Sequence, residues 1–513
     1  MKRVLIQPNR YFDSVFLMRI SREIEGLPDV TQAVVAMGTP ANAENIVGAG
    51  FELDRSTTPQ DLLVAIDAVS EEAFSAARER LETLLAGSAE TSDAEEARPG
   101  SLREALEVDP AANLGLISVP GEYAAREARG ALRRGLHVML FSDNVSVEDE
   151  IALKADAVER GLLMMGPDCG TAILNGVPLG FANVCRRGSI GIVGASGTGI
   201  QEISSLVHRM GGGISQAIGT GGRDLSAKVG GAMTRFGIEA LAADLGTEVI
   251  VVVSKAPAAS VVPGLLKTLA ATGKPAIVQF VGFDPEEADP SWLDGPARFA
   301  VTLEEAATLS CESVGIEVDA PEPARLPATA GNVTDKPAGG SLVGLFCGGT
   351  LCQEAWALMH RVGLDVASNV ASEPSKKVNP EAQAPGHVLW DLGDDAFTVG
   401  RPHPMIEPSL RDERVAKAGE DKAVGLVLVD CVLGYGAHPD PAGSLADAAK
   451  RAIAAAGANG RTLVVVASVT GTDLDPQNAT AQRATLEAAG AIVAGSNAEA
   501  VRIAIDLLRG EAT

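Results

Sequence analysis

The stretch GASGTGIQEISSLVHRMG (194–211) returns as FCGGTLCQEAWALMHRVG (346–363), at a constant offset of 152 residues. Gly197-Thr198, Gln201-Glu202 and His208-Arg209 align with Gly349-Thr350, Gln353-Glu354 and His360-Arg361. A repeat of this length constrains the fold more than any composition value, because both copies must build the same supersecondary unit. Each copy opens with a Gly-rich turn and a helix-spaced apolar stripe. A Gly/Asp-rich segment follows, IGTGGRDLS in one copy and WDLGDDAFTVG in the other. Each copy then shows a strand (EVIVVVS, GLVLVDCV), a helix and a second strand (PAIVQFV, TLVVVAS). Strands alternating with helices predict two flavodoxin-like domains with parallel sheets.

The remaining chain divides around two breaker-rich stretches that read as linkers, AGSAETSDAEEARPGS (86–101) and VDAPEPARLPATAGNVTDKPAGGS (318–341). The expected α/β organisation has four parts. A small N-terminal α/β domain covers 1–88, and a Rossmann domain of alternating strands and helices covers 105–186. The two repeat domains cover 187–317 and 341–510. With 42 basic against 67 acidic residues the net charge is −25, a field that excludes nucleic acid and anionic membranes as partners. A local cleft on such a surface can still hold a small anionic metabolite. The six cysteines form no CxxC pair, and the six histidines are scattered, so no zinc spacing exists and no metal site is expected. MKRVLIQPNRYF lacks a signal-peptide core and no apolar run approaches the length of a membrane span. The expected location is therefore cytoplasmic.

The loop at 194–200 fails three phosphate or nucleophile motifs, each at a nameable residue. Glu202 stands where a dinucleotide fingerprint needs its third glycine, and Ile200 where a Walker A loop needs lysine. Thr198 breaks the G-x-S-x-G nucleophile elbow. What remains is a helix start, with Thr198–Gln201 and Thr350–Gln353 at capping-box spacing. Such a turn presents unpaired N–H groups at a positive helix end, which suits phosphate or carboxylate. Two copies allow two helix ends to face one anion.

The run MMGPDCGTAILNGVPLGFANVCRRGSIGIVGASGTGIQE resembles the α-subunit of succinyl-CoA synthetase, which has a Gly-Pro-Asn-Cys segment before a similar strand and helix. A fuller resemblance is to the FdrA family, through MGTPAN, LISVPGEYAA, FSDNVSVEDEI, GPDCGT, IGTGGRDLS, GRPHPMIEP and VTGTDLDPQ. That family is acyl-CoA-synthetase-like and linked to oxamate carbamoyltransferase of allantoin breakdown. The resemblance implies a CoA-binding-type Rossmann domain and two ligase-type flavodoxin-like domains. It also implies that the two repeated turns share one site. Synthetases carry a phosphorylated histidine in a Gly-His-Ala-Gly loop, where this chain has FDPEEADPS after KPAIVQFVG. No segment is long enough for an ATP-grasp nucleotide module.

The expected reaction is carbamoyl transfer to phosphate, from oxalurate or a similar ureido acid, with phosphate or carbamoyl phosphate as substrate. Companion subunits and an oligomer are expected, and whether CoA binds is left open. Two alternatives remain: an acid-CoA ligase subunit needing a separate nucleotide-binding chain, and a non-catalytic assembly or regulatory subunit. The anion-binding candidates are Ser196, Gly197, Thr198, Gly199, Gly221, Gly222, Gly348, Gly349 and Thr350. The catalytic candidates are Arg223, whose guanidinium can grip an oxyanion, His403, held between prolines and tunable near neutrality, and Arg401 beside it. Asp168-Cys169 offers a thiol with no histidine near it in sequence. DLGDD (391–395) gathers three acids that read as a helix cap or a metal site. The transcarbamylase loop Ser-x-Arg-Thr-Arg is absent.

Overall fold

The computed structural model describes the chain except residues 9, 11, 13, 54–56, 59, 88–98, 287, 319–339, 380–385, 399–401 and 511–513. Most of both expected linkers lies outside the described residues. The chain forms two compact units, one holding Met1–Val108 and Pro402, the other Asp109–Thr398 and His403–Thr513.

The first unit contains β1 (Lys2–Gln7), α1 (Ser14–Glu25), β2 (Val30–Met37), α2 (Pro40–Gly48), β3 (Leu62–Ala68), α3 (Glu71–Gly87) and α4 (Leu102–Val108). Its sheet has the order β1-β3-β2, with β3 antiparallel to both neighbours. Alternation along β2 buries Ala33, Val35 and Met37, the period-2 signature of a sheet with one core face. These residues join Leu17, Ile20 and Ile24 of α1 and Phe74, Ala77, Leu81 and Leu85 of α3 in one core.

The second unit begins with a three-stranded parallel sheet, β4-β5-β6, built from β4 (Leu114–Ile117), α5 (Gly121–Leu132), β5 (His137–Leu140), α6 (Val147–Glu159) and β6 (Met164–Met165). The expected domain boundary at 186 does not coincide with the sheets. Strands β7 (Thr171–Leu174) and β8 (Val177–Gly180) form a hairpin, and Ile173 of β7 pairs antiparallel with Ala217 in the next sheet. That sheet continues through β9 (Arg187–Ala195), α7 (Gly197–Arg209), β10 (Ile214–Gly219), α8 (Ala232–Ala243), β11 (Val249–Ser254), α9 (Val262–Thr272), β12 (Ala276–Phe280), α10 (Pro290–Leu293), β13 (Ala297–Ala300) and α11 (Leu303–Ser313). Its order is β13-β12-β11-β9-β10-β7-β8, so the five parallel strands follow the flavodoxin-like order 2-1-3-4-5.

The second repeat comprises β14 (Ser341–Phe346), α12 (Gly349–Arg361), β15 (Val366–Ser368), β16 (His387–Asp391), α13 (Asp395–Thr398), α14 (Ser409–Ala418), β17 (Val424–Val432), α15 (Pro441–Ala458), β18 (Val464–Thr470), α16 (Ala479–Ala488), β19 (Ile492–Ala494) and α17 (Asn497–Arg509). Its order is β15-β16-β14-β17-β18-β19, the same plan with one strand inserted at the edge. Strand β17 is buried along its whole length, as a strand covered on both faces must be. One apolar core runs through both repeats, from Ile200, Ile203 and Val207 on α7 to Leu351, Ala355 and Met359 on α12.

The repeated glutamates cross this seam reciprocally. Glu202 accepts the N–H of Asn497 at 3.0 Å, the first residue of α17, and the Thr470 hydroxyl. Glu354 accepts the N–H of Leu303 at 2.8 Å, the first residue of α11, and the Asn497 side-chain amide at 2.8 Å. Each repeat thus places a carboxylate at the positive end of the other's last helix. Burial still outweighs these bonds, raising Glu202 and pushing Glu354 from 4.5 to about 7. A carboxyl whose pKa is raised on folding binds more protons folded than unfolded between those two values. Its contribution is therefore full below pH 4.5 and is lost as pH climbs to about 7. Urea midpoints measured from pH 4.5 to 7.5 should fall more steeply for the wild type than for Glu354→Gln. Parallel slopes in the two proteins would remove Glu354 as the cause.

Candidate functional site

The chain leaves β9 toward β10 on one side and β11 toward β12 on the other. Such a reversal opens a crevice at the carboxyl ends of β9 and β11. The same reversal recurs at β14 and β17. The Gly-rich turns sit at these two points, and they meet: Ser196 Oγ and Thr350 Oγ1 are 2.7 Å apart. A Cβ on Gly348 would lie 3.0 Å from the Thr198 methyl. Ser196, Gly197, Thr198, Gly199, Gly348, Gly349 and Thr350 therefore gather in one place, although more than 140 residues separate the two sets.

The capping chemistry differs from the expected box. Ser196 is the N-cap of α7, its hydroxyl accepting the Gly199 N–H at 3.0 Å. Thr198 lies inside the first turn, and Gln201 points its amide to Asn183 Oδ1 and the Leu433 carbonyl rather than back to the cap. The N-cap of α12 is Gly348, which has no side chain to offer. Here the carboxylate of Asp430, on the adjoining β17, accepts the N–H groups of Cys347 and Gly348, both at 2.7 Å. Burial raises the Asp430 pKa against these two bonds and the nearby Arg411 charge. Arg411 is itself buried and donates to Asp412 Oδ1, the Asp430 carbonyl and the Pro441 carbonyl. A second carboxylate, Asp391 at the end of β16, stands where a Cβ on Gly349 would come within 2.4 Å of its Oδ2. The turn at 347–349 thus carries two carboxylates of its own protein. On β11 the residue at the matching register, opposite Gly194, is Val253, so among the described residues the turn at 196–199 has no carboxylate equivalent to Asp430.

The residue that follows β11 is Lys255, exposed and, among the described residues, making no hydrogen bond or ion pair. Its charge acts on Asp168 of the 166–168 loop, Asp391 at the end of β16 and Cys352 in the first turn of α12, so it faces the shared crevice. Burial pushes Asp391 up to about 6, opposed by Lys255 and the Gly393 N–H and reinforced by Asp394 and Asp430. Asp168 reaches solvent, yet lost hydration lifts its carboxyl to about 6. Lys255 and Arg223 oppose that rise, while Asp143 and Asp395 add to it.

His403 reaches the second turn. Its Nε2 lies 2.6 Å from the position of a Cβ on Gly393, and that position is 3.0 Å from the Cys347 carbonyl oxygen. Its Nδ1 accepts the Met405 N–H at 3.2 Å, so the neutral ring carries its proton on Nε2. The ring packs 5.6 Å from Phe181, and burial pulls its pKa down to about 4. Arg401 lies outside the described residues. Arg223 Nη2 donates to the Val145 carbonyl at 2.8 Å and lies 2.9 Å from Glu150 Oε2. The guanidinium is thus tethered to the start of α6 rather than free. Gly221 (φ +83°) and Gly222 pack on the 166–168 loop, and a Cβ on Gly221 would strike the Pro167 carbonyl at 2.2 Å. Cys169 is buried, its thiol pushed up to about 12, which removes it as a thiolate nucleophile. In DLGDD the acids separate: Asp394 accepts the Ala396 N–H at 3.0 Å beside α13, and Asp391 turns into the crevice.

Sequence reading missed Lys255 and Asp430. The signal for both was positional: each sits at the carboxyl end of the strand beside the one that feeds a Gly-rich turn.

Three family models match the chain: "AllF, heavy metal-associated domain" over 1–99, "CoA binding domain" over 186–282 and "CoA-ligase" over 345–507. The CoA-binding match thus falls on the first repeat rather than on 105–186. Residues 1–99 contain neither cysteine nor histidine. The uncharacterized protein YahF of Escherichia coli (strain K12) is 44% identical over 96% of both chains. The α-subunit 2 of an ADP-forming succinate–CoA ligase of Archaeoglobus fulgidus is 32% identical over 24% of this chain and 44% of that subunit. The corresponding α-subunit of Aquifex aeolicus is 30% identical over 30% of this chain and 51% of its own length. These ligase matches therefore span about half of each subunit. By its three matching domain families and its full-length relative, the chain belongs to the FdrA family, acyl-CoA-synthetase-like proteins related to succinyl-CoA ligase α-subunits.

Proposed function

We propose that this chain transfers a carbamoyl group to phosphate, converting oxalurate or a similar ureido acid to oxamate (or its counterpart) and carbamoyl phosphate, together with companion subunits. The observation that carries this reading is the 2.7 Å contact between Ser196 and Thr350, which brings two helix starts and Lys255 to one crevice. Phosphate is assigned to the Ser196–Gly199 turn, where the first N–H groups of α7 lack intrahelical partners and favour an anion. Lys255 supplies the balancing charge there, whereas the turn at 347–349 already holds Asp430 and Asp391. His403, neutral with its proton on Nε2, can donate to the carbonyl oxygen under attack, the electrostatic role that usually matters most in such transfers. Arg223, with Gly221 and Gly222, is assigned to the carboxylate end of the ureido acid.

The test is formation of carbamoyl phosphate from oxalurate and phosphate, with the chain alone and with each companion subunit. Product in at least one combination supports the reading, and none in any combination rejects it. A second reading, an acid-CoA ligase subunit whose nucleotide-binding partner is a separate chain, is favoured by the CoA-binding match over 186–282 and the ligase α-subunit relatives. It requires CoA binding measurable by calorimetry and CoA-dependent nucleotide hydrolysis when the partner is added.

A further inference from the structure

Breaking the carbamoyl–nitrogen bond of a ureido acid poses a difficulty that phosphate binding alone does not solve. The departing group is an amide nitrogen, far too basic to leave as an anion, so a proton must reach it as the bond breaks. The donor has to hold a proton near neutral pH, lie in the crevice and be open to substrate.

Three crevice groups can be compared. His403, with its pKa near 4, is almost wholly neutral at pH 7 and serves as a hydrogen-bond donor rather than an acid. Asp391 is buried, with Oδ1 bound to the Gly393 N–H at 2.9 Å and Oδ2 against Gly349. Asp168 meets all three demands. Its loop is fixed from behind by the backbone bond from Asp168 N to the Ser142 carbonyl at 3.0 Å. Its φ of +55° is a left-handed conformation, which aspartate and asparagine tolerate better than most residues. The side chain reaches solvent, and among the described residues its carboxylate makes no hydrogen bond. Oδ2 lies 3.5 Å from the position of a Cβ on Gly222, so it faces the turn assigned to the substrate carboxylate. The charged groups around it are Lys255, Arg223, Asp143 and Asp395.

We infer that Asp168 is the general acid of the group transfer, protonating the departing nitrogen of the ureido acid. This inference rests on the carbamoyl-transfer reading. In the step, a phosphate oxygen forms a bond to the carbamoyl carbon while the bond from that carbon to the amide nitrogen breaks. The Asp168 proton goes to that nitrogen, and the proton released by the attacking hydrogen phosphate restores the Asp168 carboxyl. No oxidant, reductant or further reactant enters. With its carboxyl titrating at about 6, the acid form is present at useful levels near neutrality, and activity falls as pH rises through that value.

The experiment uses the chain with its companion subunits, phosphate and oxalurate, and follows carbamoyl phosphate across pH 5–8 for wild type, Asp168→Asn and Asp168→Glu. Asparagine is nearly isosteric and accepts the left-handed backbone, so matching melting curves check the fold. The expected result for Asp168→Asn is a kcat lowered about 100-fold or more, with KM for phosphate within about threefold of wild type. The limb on which the wild-type rate falls near pH 6 disappears, and Asp168→Glu recovers part of both. A variant that keeps the wild-type rate and that limb overturns the acid assignment while leaving the transfer reading in place. Wild-type enzyme that forms no carbamoyl phosphate overturns the transfer reading, and the acid role with it.

Discussion

Replacing Lys154 with methionine is expected to destabilise the second compact unit by about 3–5 kcal/mol, the usual cost of stranding a buried charge. Lys154 Nζ donates to Glu150 Oε1 at 2.7 Å, to Asp224 Oδ1 at 2.8 Å and to the Thr220 carbonyl at 2.9 Å. All three charged side chains are essentially excluded from water. Asp224 also accepts the Thr234 N–H and hydroxyl, fixing the segment that runs from the GTGGRDLS turn into α8. The network therefore ties α6, the turn at 220–224 and α8 together, and its loss loosens the tether of Arg223 as well. Calorimetry should show a melting point lowered by roughly 4–6 °C. Replacing Asp224 by asparagine in the same protein should recover part of that loss, because one of the two stranded carboxylates is then gone. A single variant within about 2 °C of wild type would mean the network contributes no net stability.

Lys255→Ala is expected to leave stability unchanged and to damage phosphate use. The side chain is exposed and, among the described residues, makes no hydrogen bond or ion pair, so its removal breaks none in the folded protein. A charge-assisted hydrogen bond to an oxyanion contributes about 1.5–3 kcal/mol. At about 1.4 kcal/mol per tenfold, that corresponds to a loss of about 10- to 150-fold in kcat/KM for phosphate. The effect should weaken as ionic strength rises, since the site opens to solvent. An unchanged kcat/KM would move the anion away from β11. A large loss of melting temperature would show instead that Lys255 is structural.

The repeat made the architecture legible. Two copies of a strand, turn and helix with a further strand, helix and strand require two parallel sheets, and the switch points follow from that order. The junction of the turns was legible only through resemblance, because no local pattern says that Ser196 touches Thr350. Asp430 and Lys255 escaped because strand neighbours are set by sheet order, not by sequence distance. Asp430 lies more than 80 residues from the turn it caps. The capping assignment failed for a local reason: Thr198 has the right spacing to Gln201, but Ser196 already has the extended backbone of an N-cap. Strands β7 and β8 read as part of the preceding Rossmann pattern because their pairing to β10 is antiparallel and crosses a domain boundary. The tether of Arg223 is not legible in the sequence because Glu150 and Val145 lie some 75 residues upstream on another element.

The proposed activity requires one anion in the Ser196–Gly199 turn beside Lys255, where the two repeats meet. This requirement is tested most directly by a crystal structure of the chain with its companion subunits, grown with phosphate. A phosphate is expected within hydrogen-bond distance of the first backbone N–H groups of α7 and of Lys255 Nζ, with the turn at 347–349 still held by Asp430. Phosphate at the 347–349 turn with Asp430 displaced, or bound only outside the crevice, would contradict it.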